Sequence, residues 1–119
     1  MNNQTEFRIC PETGLKIHRP AEALMRANAV AAVVFLLIGG VLGLGVGLTR
    51  WPEVHLLPAD MFYQVLTGHG INVLIFWIIF FEMAVLHLAS STLLGCRIAT
   101  PKLGWVAFFL MVIGALVNN

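Results

Sequence analysis

Three long apolar runs within 119 residues restrict this chain more than any other feature. LMRANAVAAVVFLLIGGVLGLGVGL fills residues 24–48, a second run covers about 61–94, and LGWVAFFLMVIGALV fills 103–117. A bilayer core about 30 Å thick needs roughly 20 apolar residues of helix to cross it. The first two runs meet that length, and the third is short. Composition agrees, with 59% of residues hydrophobic and 11% charged, where soluble domains carry about a quarter charged residues. A domain this small keeps too much surface exposed to hide the excess in one core. The chain therefore reads as an all-α membrane protein with three transmembrane helices, part of a larger helical bundle. Residues 1–23 form an N-terminal segment outside the bilayer, and residues 24–119 form the transmembrane domain.

Basic residues set the orientation. Arg8, Lys16, Arg19 and Arg26 precede or open the first run, Arg50 alone follows it, and Arg97 and Lys102 separate the second and third runs. That pattern places the N-terminus in the cytoplasm, the Trp51–Asp60 loop and the C-terminus outside, and the chain in the cell membrane as a multi-pass protein. Trp51 and Trp105 fall near the expected interfaces. Glu6, Glu12 and Glu22 are mixed with the early basic residues and no small-residue cleavage site follows, so the N-terminal segment is no signal peptide. Arg19-Pro20-Ala21-Glu22 has the chemistry of a helix start. A net charge of +1 offers no basic face for nucleic acid, and no glycine loop for a nucleotide is present. Cys10 and Cys96 are expected as free thiols on the cytoplasmic side, and CPETG at residues 10–14 looks like half a metal knuckle without a second half.

Gly39, Gly43 and Gly47 form a GxxxGxxxG row on one face of the first span, fit either for close helix packing or for the edge of a planar cofactor. The second span holds the only ionisable residues well inside the apolar zone, His69, Glu82 and His87, and such residues are costly in hydrocarbon. At about 100° per residue, His69, Val73, Phe76, Phe80 and His87 share one face and Glu82 lies nearly opposite. His69 sits about 12 Å inside the outer end of the helix. A metal would satisfy one of its nitrogens and an acceptor the other. A haem suits the position: iron takes a histidine, Gly68 and Gly70 leave room for a plane, and Phe76 and Phe80 offer apolar walls. A core histidine hydrogen-bonded to a neighbouring helix fits equally well, and both readings stand here. His87, about 27 Å further on, reads as a hydrogen-bonded histidine near the interface. Glu82 reads as a partner for a polar group on another helix or as a proton-relay carboxyl.

The stretch FYQVLTGHGINVLIFW, residues 62–77, resembles the catalytic subunit of the haem–copper oxygen reductases, cytochrome c oxidase subunit I, and its B-type members in particular. In that family the second transmembrane helix enters from the outer side with a Thr-x-His-Gly motif, matched here by Thr67, Gly68, His69 and Gly70. The resemblance covers residues 20–119, the family's first three helices. It implies that His69 is one axial ligand of a low-spin haem, b or a type, with Gly68, Gly70 and Phe76 around it. It also implies electron delivery from cytochrome c, a copper donor or quinol, oxygen reduction at a high-spin haem–copper centre, and proton transport. The chain has three helices where the family has about a dozen, and Tyr63 is its sole tyrosine, so the family's His-x-x-x-Tyr pair is missing. The expectation is a split or truncated subunit I, with copper and the high-spin haem on a second chain carrying the remaining helices, beside oxidase subunit II. The alternatives are the equivalent part of a nitric oxide reductase and a non-catalytic structural membrane subunit in which His69 only hydrogen-bonds.

Overall fold

Pro20 in the first turn supplies a preset φ without a missing hydrogen bond, and Glu22 answers the positive end of the helix dipole; α1 accordingly runs Arg19–Arg50. It stops at Trp51, where Pro52 disfavours a helical residue before it. The computed structural model describes residues 6–119. After an eight-residue connection, α2 spans Ala59–Ile71, a π-helical turn covers Asn72–Phe76, and α3 spans Trp77–Thr92. Together they form one continuous rod of 34 residues. Pro101 again opens α4, Pro101–Val117. The first helix begins at Arg19, well before the apolar run at Leu24, and the third at Pro101, before Leu103, because the proline start signals lie upstream of the apolar residues.

The spans pack up-down-up. Gly43 faces His69, Gly39 faces Asn72 and Val73, and Phe35 stacks on Phe80, so α1 and the second span are antiparallel. Leu24 meets Gly104 near one end of α4 and Ala32 and Phe35 join Ala115 near the other, so α4 is parallel to α1. The core is Ala32, Phe35, Phe80 and Ala115. Its aromatic centre is a Phe35–Phe80 stack at 5.3 Å and 5°, with Phe108 edge-on to Phe80 at 6.0 Å, a geometry the ring quadrupoles favour. Leu24 is fully buried, and a Cβ at Gly104 would lie 2.6 Å from its Cδ1.

The described residues form a slab 65 × 30 × 17 Å, little thicker than one helix with its side chains. Leu37, Leu74 and Leu110 therefore point outward, each more than 60% exposed. Water would penalise that surface, whereas hydrocarbon does not. The mostly helical architecture, with two long apolar helices and a shorter third, is consistent with an all-α membrane protein.

One part of the all-α expectation needs correction. The N-terminal segment contains an antiparallel hairpin, β1 (Phe7–Ile9) paired with β2 (Lys16–His18) in the register Phe7↔His18 and Ile9↔Lys16; residues 1–5 of that segment lie outside the described residues. CPETG is its turn. Cys10 N donates to Leu15 O at 2.9 Å and Gly14 N to Cys10 O at 2.8 Å, with Gly14 at φ +66°, a value glycine adopts without a Cβ penalty. Hydrogen bonds from Thr13, side chain first and then backbone, lower the Cys10 thiol pKa. The hairpin is held to the helices by His18 N donating to Ser91 Oγ at 2.7 Å and by Arg8 bonded to Glu22 through two nitrogens. Its missed sequence signal was the alternation in FRI and KIH around a Thr-Gly turn.

Candidate functional site

The seam between α1 and the second span is built around missing side chains. A Cβ at Gly43 would lie 2.8 Å from His69 Cε1 and 2.9 Å from Nδ1, and one at Gly39 would lie 2.7 Å from Val73 Cγ2. Without those atoms, the imidazole reaches the backbone of α1, and His69 Nδ1 lies 2.8 Å from Gly39 O. A carbonyl only accepts, so Nδ1 carries the proton, and Nε2 is the nitrogen left to offer a lone pair. This resolves the glycine row: Gly39 and Gly43 seat the second span, while Gly47 has nothing within 4 Å. At Gly39 and Gly43 the row is filled by a valine and a histidine ring, which leaves no groove for a planar cofactor at those two positions.

The two glycines beside His69 differ. A Cβ at Gly68 would lie 3.1 Å from Leu42 Cδ1, whereas one at Gly70 would meet nothing within 4 Å. Gly68 thus belongs to the helix seam and Gly70 to a free flank. Phe76 is half-buried and tilted against Phe35 at 5.5 Å. Phe80, only 1% exposed, is enclosed by Phe35 and Phe108 and is a core residue, not a cofactor wall. Thr67 satisfies its hydroxyl within its own helix, donating to Tyr63 O at 2.8 Å, as threonines in apolar helices commonly do.

Asn72 escaped the sequence reading although it lies in the same stretch. It is completely buried and opens the π-helical turn. Its Nδ2 donates to Gly68 O at 2.7 Å and to Asn119 Oδ1, while Asn119 Nδ2 donates to Ala115 O at 2.8 Å. One amide thus links the turn before His69 to the end of α4. The available signal was a lone carboxamide in an apolar run, which hydrocarbon tolerates only with partners. Beside it, Tyr63, Gln64, Thr67, Gly68, Asn118 and Asn119 line a polar hollow of ≈ 420 Å³.

The other candidates lie apart. His87 is half-buried on α3. Glu82 is exposed on the outward face with Phe81, Val85 and Leu86, and it has no ion pair among the described residues. Cys10 and Cys96 are free thiols. Among the described residues no group of three or more His, Cys, Asp or Glu side chains is placed to hold a metal ion. His69, with Nδ1 fixed on a carbonyl, has one nitrogen that could take a metal ion.

A family model described as cytochrome c and quinol oxidase polypeptide I matches residues 23–119. No curated protein and no solved structure matches the chain. The family generally binds haem and copper, and the matched region contains all three apolar helices and the His69 seam. With the match spanning nearly everything after the hairpin, the chain belongs to the cytochrome c and quinol oxidase polypeptide I family of membrane oxidoreductases.

Proposed function

We propose that the chain is a haem-ligating part of the catalytic subunit of a haem–copper terminal oxidase, B-type in character, with His69 as one axial ligand of a low-spin haem of b or a type. The observation that supports this most is the 2.8 Å contact between His69 Nδ1 and Gly39 O. Ligating histidines characteristically donate their second N–H to a carbonyl or carboxylate, which fixes the tautomer and the ring plane. The residues present fit the group. Nε2 is free to offer a lone pair, Gly70 leaves one flank open, Gly68 lets α2 approach Leu42, and the remaining surface of Phe76 is apolar.

A low-spin haem held by His69 would supply one-electron transfer. The chain's own part is to hold the ligand: the glycine seat limits tilt of the imidazole, and the Gly39 carbonyl strengthens its basicity. The second histidine ligand, the high-spin haem and copper are assigned to the family's remaining helices outside these residues, in a split or a truncated subunit, since Ala59 stands four residues before the sole tyrosine, Tyr63. Oxidase subunit II and a cytochrome c or quinol donor complete the assembly. Glu82 agrees with such a neighbour, because an unpaired carboxyl on an apolar, bilayer-deep face calls for a polar partner from another helix. The basic N-terminal end supports a cytoplasmic position for that side.

Replacing His69 by Ala tests the reading. The assembled complex is expected to lose the low-spin haem absorption while keeping its other haem signal. An unchanged spectrum would overturn the assignment.

A further inference from the structure

The hairpin end of α1 carries more positive charge than its own acid neutralises. Arg8, Arg19 and Arg26, with Glu22 and Ala23, line a hollow of ≈ 400 Å³. Glu22 is 8% exposed and accepts from Arg8 Nε at 3.2 Å and Arg8 Nη2 at 2.6 Å, and from Arg26 Nη2. Its hydrogen bond raises the Arg8 pKa and keeps that guanidinium charged. One carboxylate against three guanidinium groups leaves the hollow cationic. Arg19 is exposed and makes no ion pair among the described residues. Each guanidinium offers five N–H donors in a planar fork suited to phosphate, and Glu22 occupies few of them.

Arg26 also lines a second hollow, ≈ 520 Å³, between α1 and α4. Beyond Arg26 its walls are apolar: Val30, Val34 and Ile38 from α1, and Phe109, Val112 and Leu116 from α4. From Arg26 to Ile38 the trough runs ~18 Å at about 1.5 Å per residue, close to one leaflet of a hydrocarbon core about 30 Å thick. The apolar run starts at Leu24, so the arginines stand at headgroup depth. A cationic hollow that continues through a shared residue into an apolar trough one leaflet long matches an amphiphile with an anionic head.

We propose that this face binds one anionic phospholipid, its phosphate held by Arg8, Arg19 and Arg26 and one acyl chain lying in the α1/α4 trough. The site rests on the membrane-spanning reading of the helices and is independent of His69 as a ligand. The test uses the chain purified in detergent with its partners, delipidated, and titrated with phosphatidylglycerol, phosphatidylcholine of the same acyl chains, or inorganic phosphate, with bound lipid read by native mass spectrometry. Phosphatidylglycerol is expected to be retained at least tenfold more tightly than phosphatidylcholine. The Arg19→Gln/Arg26→Gln double variant should lower that retention by roughly tenfold or more, with the haem spectrum unchanged. Val34→Trp, a lipid-facing substitution that fills the trough, should lower it several-fold without altering the headgroup preference. Equal retention of the two lipids overturns the proposal, as does full displacement of phosphatidylglycerol by equimolar inorganic phosphate, which would leave an anion site only. If the double variant does not assemble, Val34→Trp decides, and undiminished retention by it overturns the proposal.

Discussion

Along the seam between α1 and the second span, polar groups are buried at both ends, by opposite means. Toward the Trp51 loop, Gly39 and Gly43 remove side chains so that an imidazole touches backbone, and Asn72 is satisfied by a carbonyl and another amide. No charge takes part. At the other end a hairpin covers the helix ends, with Arg8 and Arg26 on Glu22 and Arg97 on Glu6. The Arg8 and Glu22 side chains there are 39% and 11% exposed. The first arrangement is rigid because backbone cannot retreat; the second is adjustable because long side chains can. On the proposed reading, the ligand that must hold one ring plane belongs in the first, and the surface that meets mobile lipid headgroups belongs in the second.

The sharpest way to break this contrast is Gly43→Leu. Its Cβ alone would stand 2.8 Å from the His69 ring, so the ring must leave the Gly39 carbonyl. Low-spin haem content per complex should fall about 10- to 100-fold, the usual cost of losing such a supporting hydrogen bond. Gly47→Leu, which meets open space, should leave the spectrum unchanged. Similar losses in both would show that the seam is not specific to the ring.

At the hairpin end the largest expected effect is Ser91→Ala. It strips the partner from the buried His18 N–H, 2.7 Å away, at a cost of about 1–3 kcal/mol. Amide exchange at His18 should quicken about tenfold or more while the haem spectrum stays as it is. Glu22→Gln is milder. It leaves a hydrogen-bond acceptor but removes the charge that Arg8 and Arg26 share, and solvent already screens much of that attraction. Proteolytic cleavage in the Pro11–Gly14 turn should rise a few-fold.

Salt should produce the smallest change and separate the two ends most cleanly. At about 1 M the Debye length falls to ~3 Å, so the exposed Arg97–Glu6 pair, 3.1 Å long, weakens and turn cleavage rises slightly. The haem signal assigned to His69, whose ring rests on a backbone carbonyl, should not move. A salt-dependent haem spectrum together with a salt-insensitive hairpin would reverse the comparison.

Much of the helix seam was legible in one dimension. His69, Val73, Phe76 and Phe80 share a face at 100° per residue, and that face does pack on α1, with Glu82 turned away. Asn72 was legible too, as an amide in an apolar run, and was passed over. The hairpin was obscured because three-residue strands carry too little alternation to stand out, and Cys10 drew attention to metal chemistry where the chain only turns.

The amino-acid order by itself determined what each segment is. Apolar length made the spans, Pro20 and Pro101 set two helix starts, and the spacing of His69 from its neighbours set a helix face. Only the tertiary structure decided what each face meets. That Gly43 seats the ring of His69, that Gly68 is occupied and Gly70 open, and that Phe80 is sealed by Phe35 and Phe108 all depend on the antiparallel register between helices. Register follows from which small residues admit which large ones across a loop, a relation between distant positions that no local pattern along the chain contains.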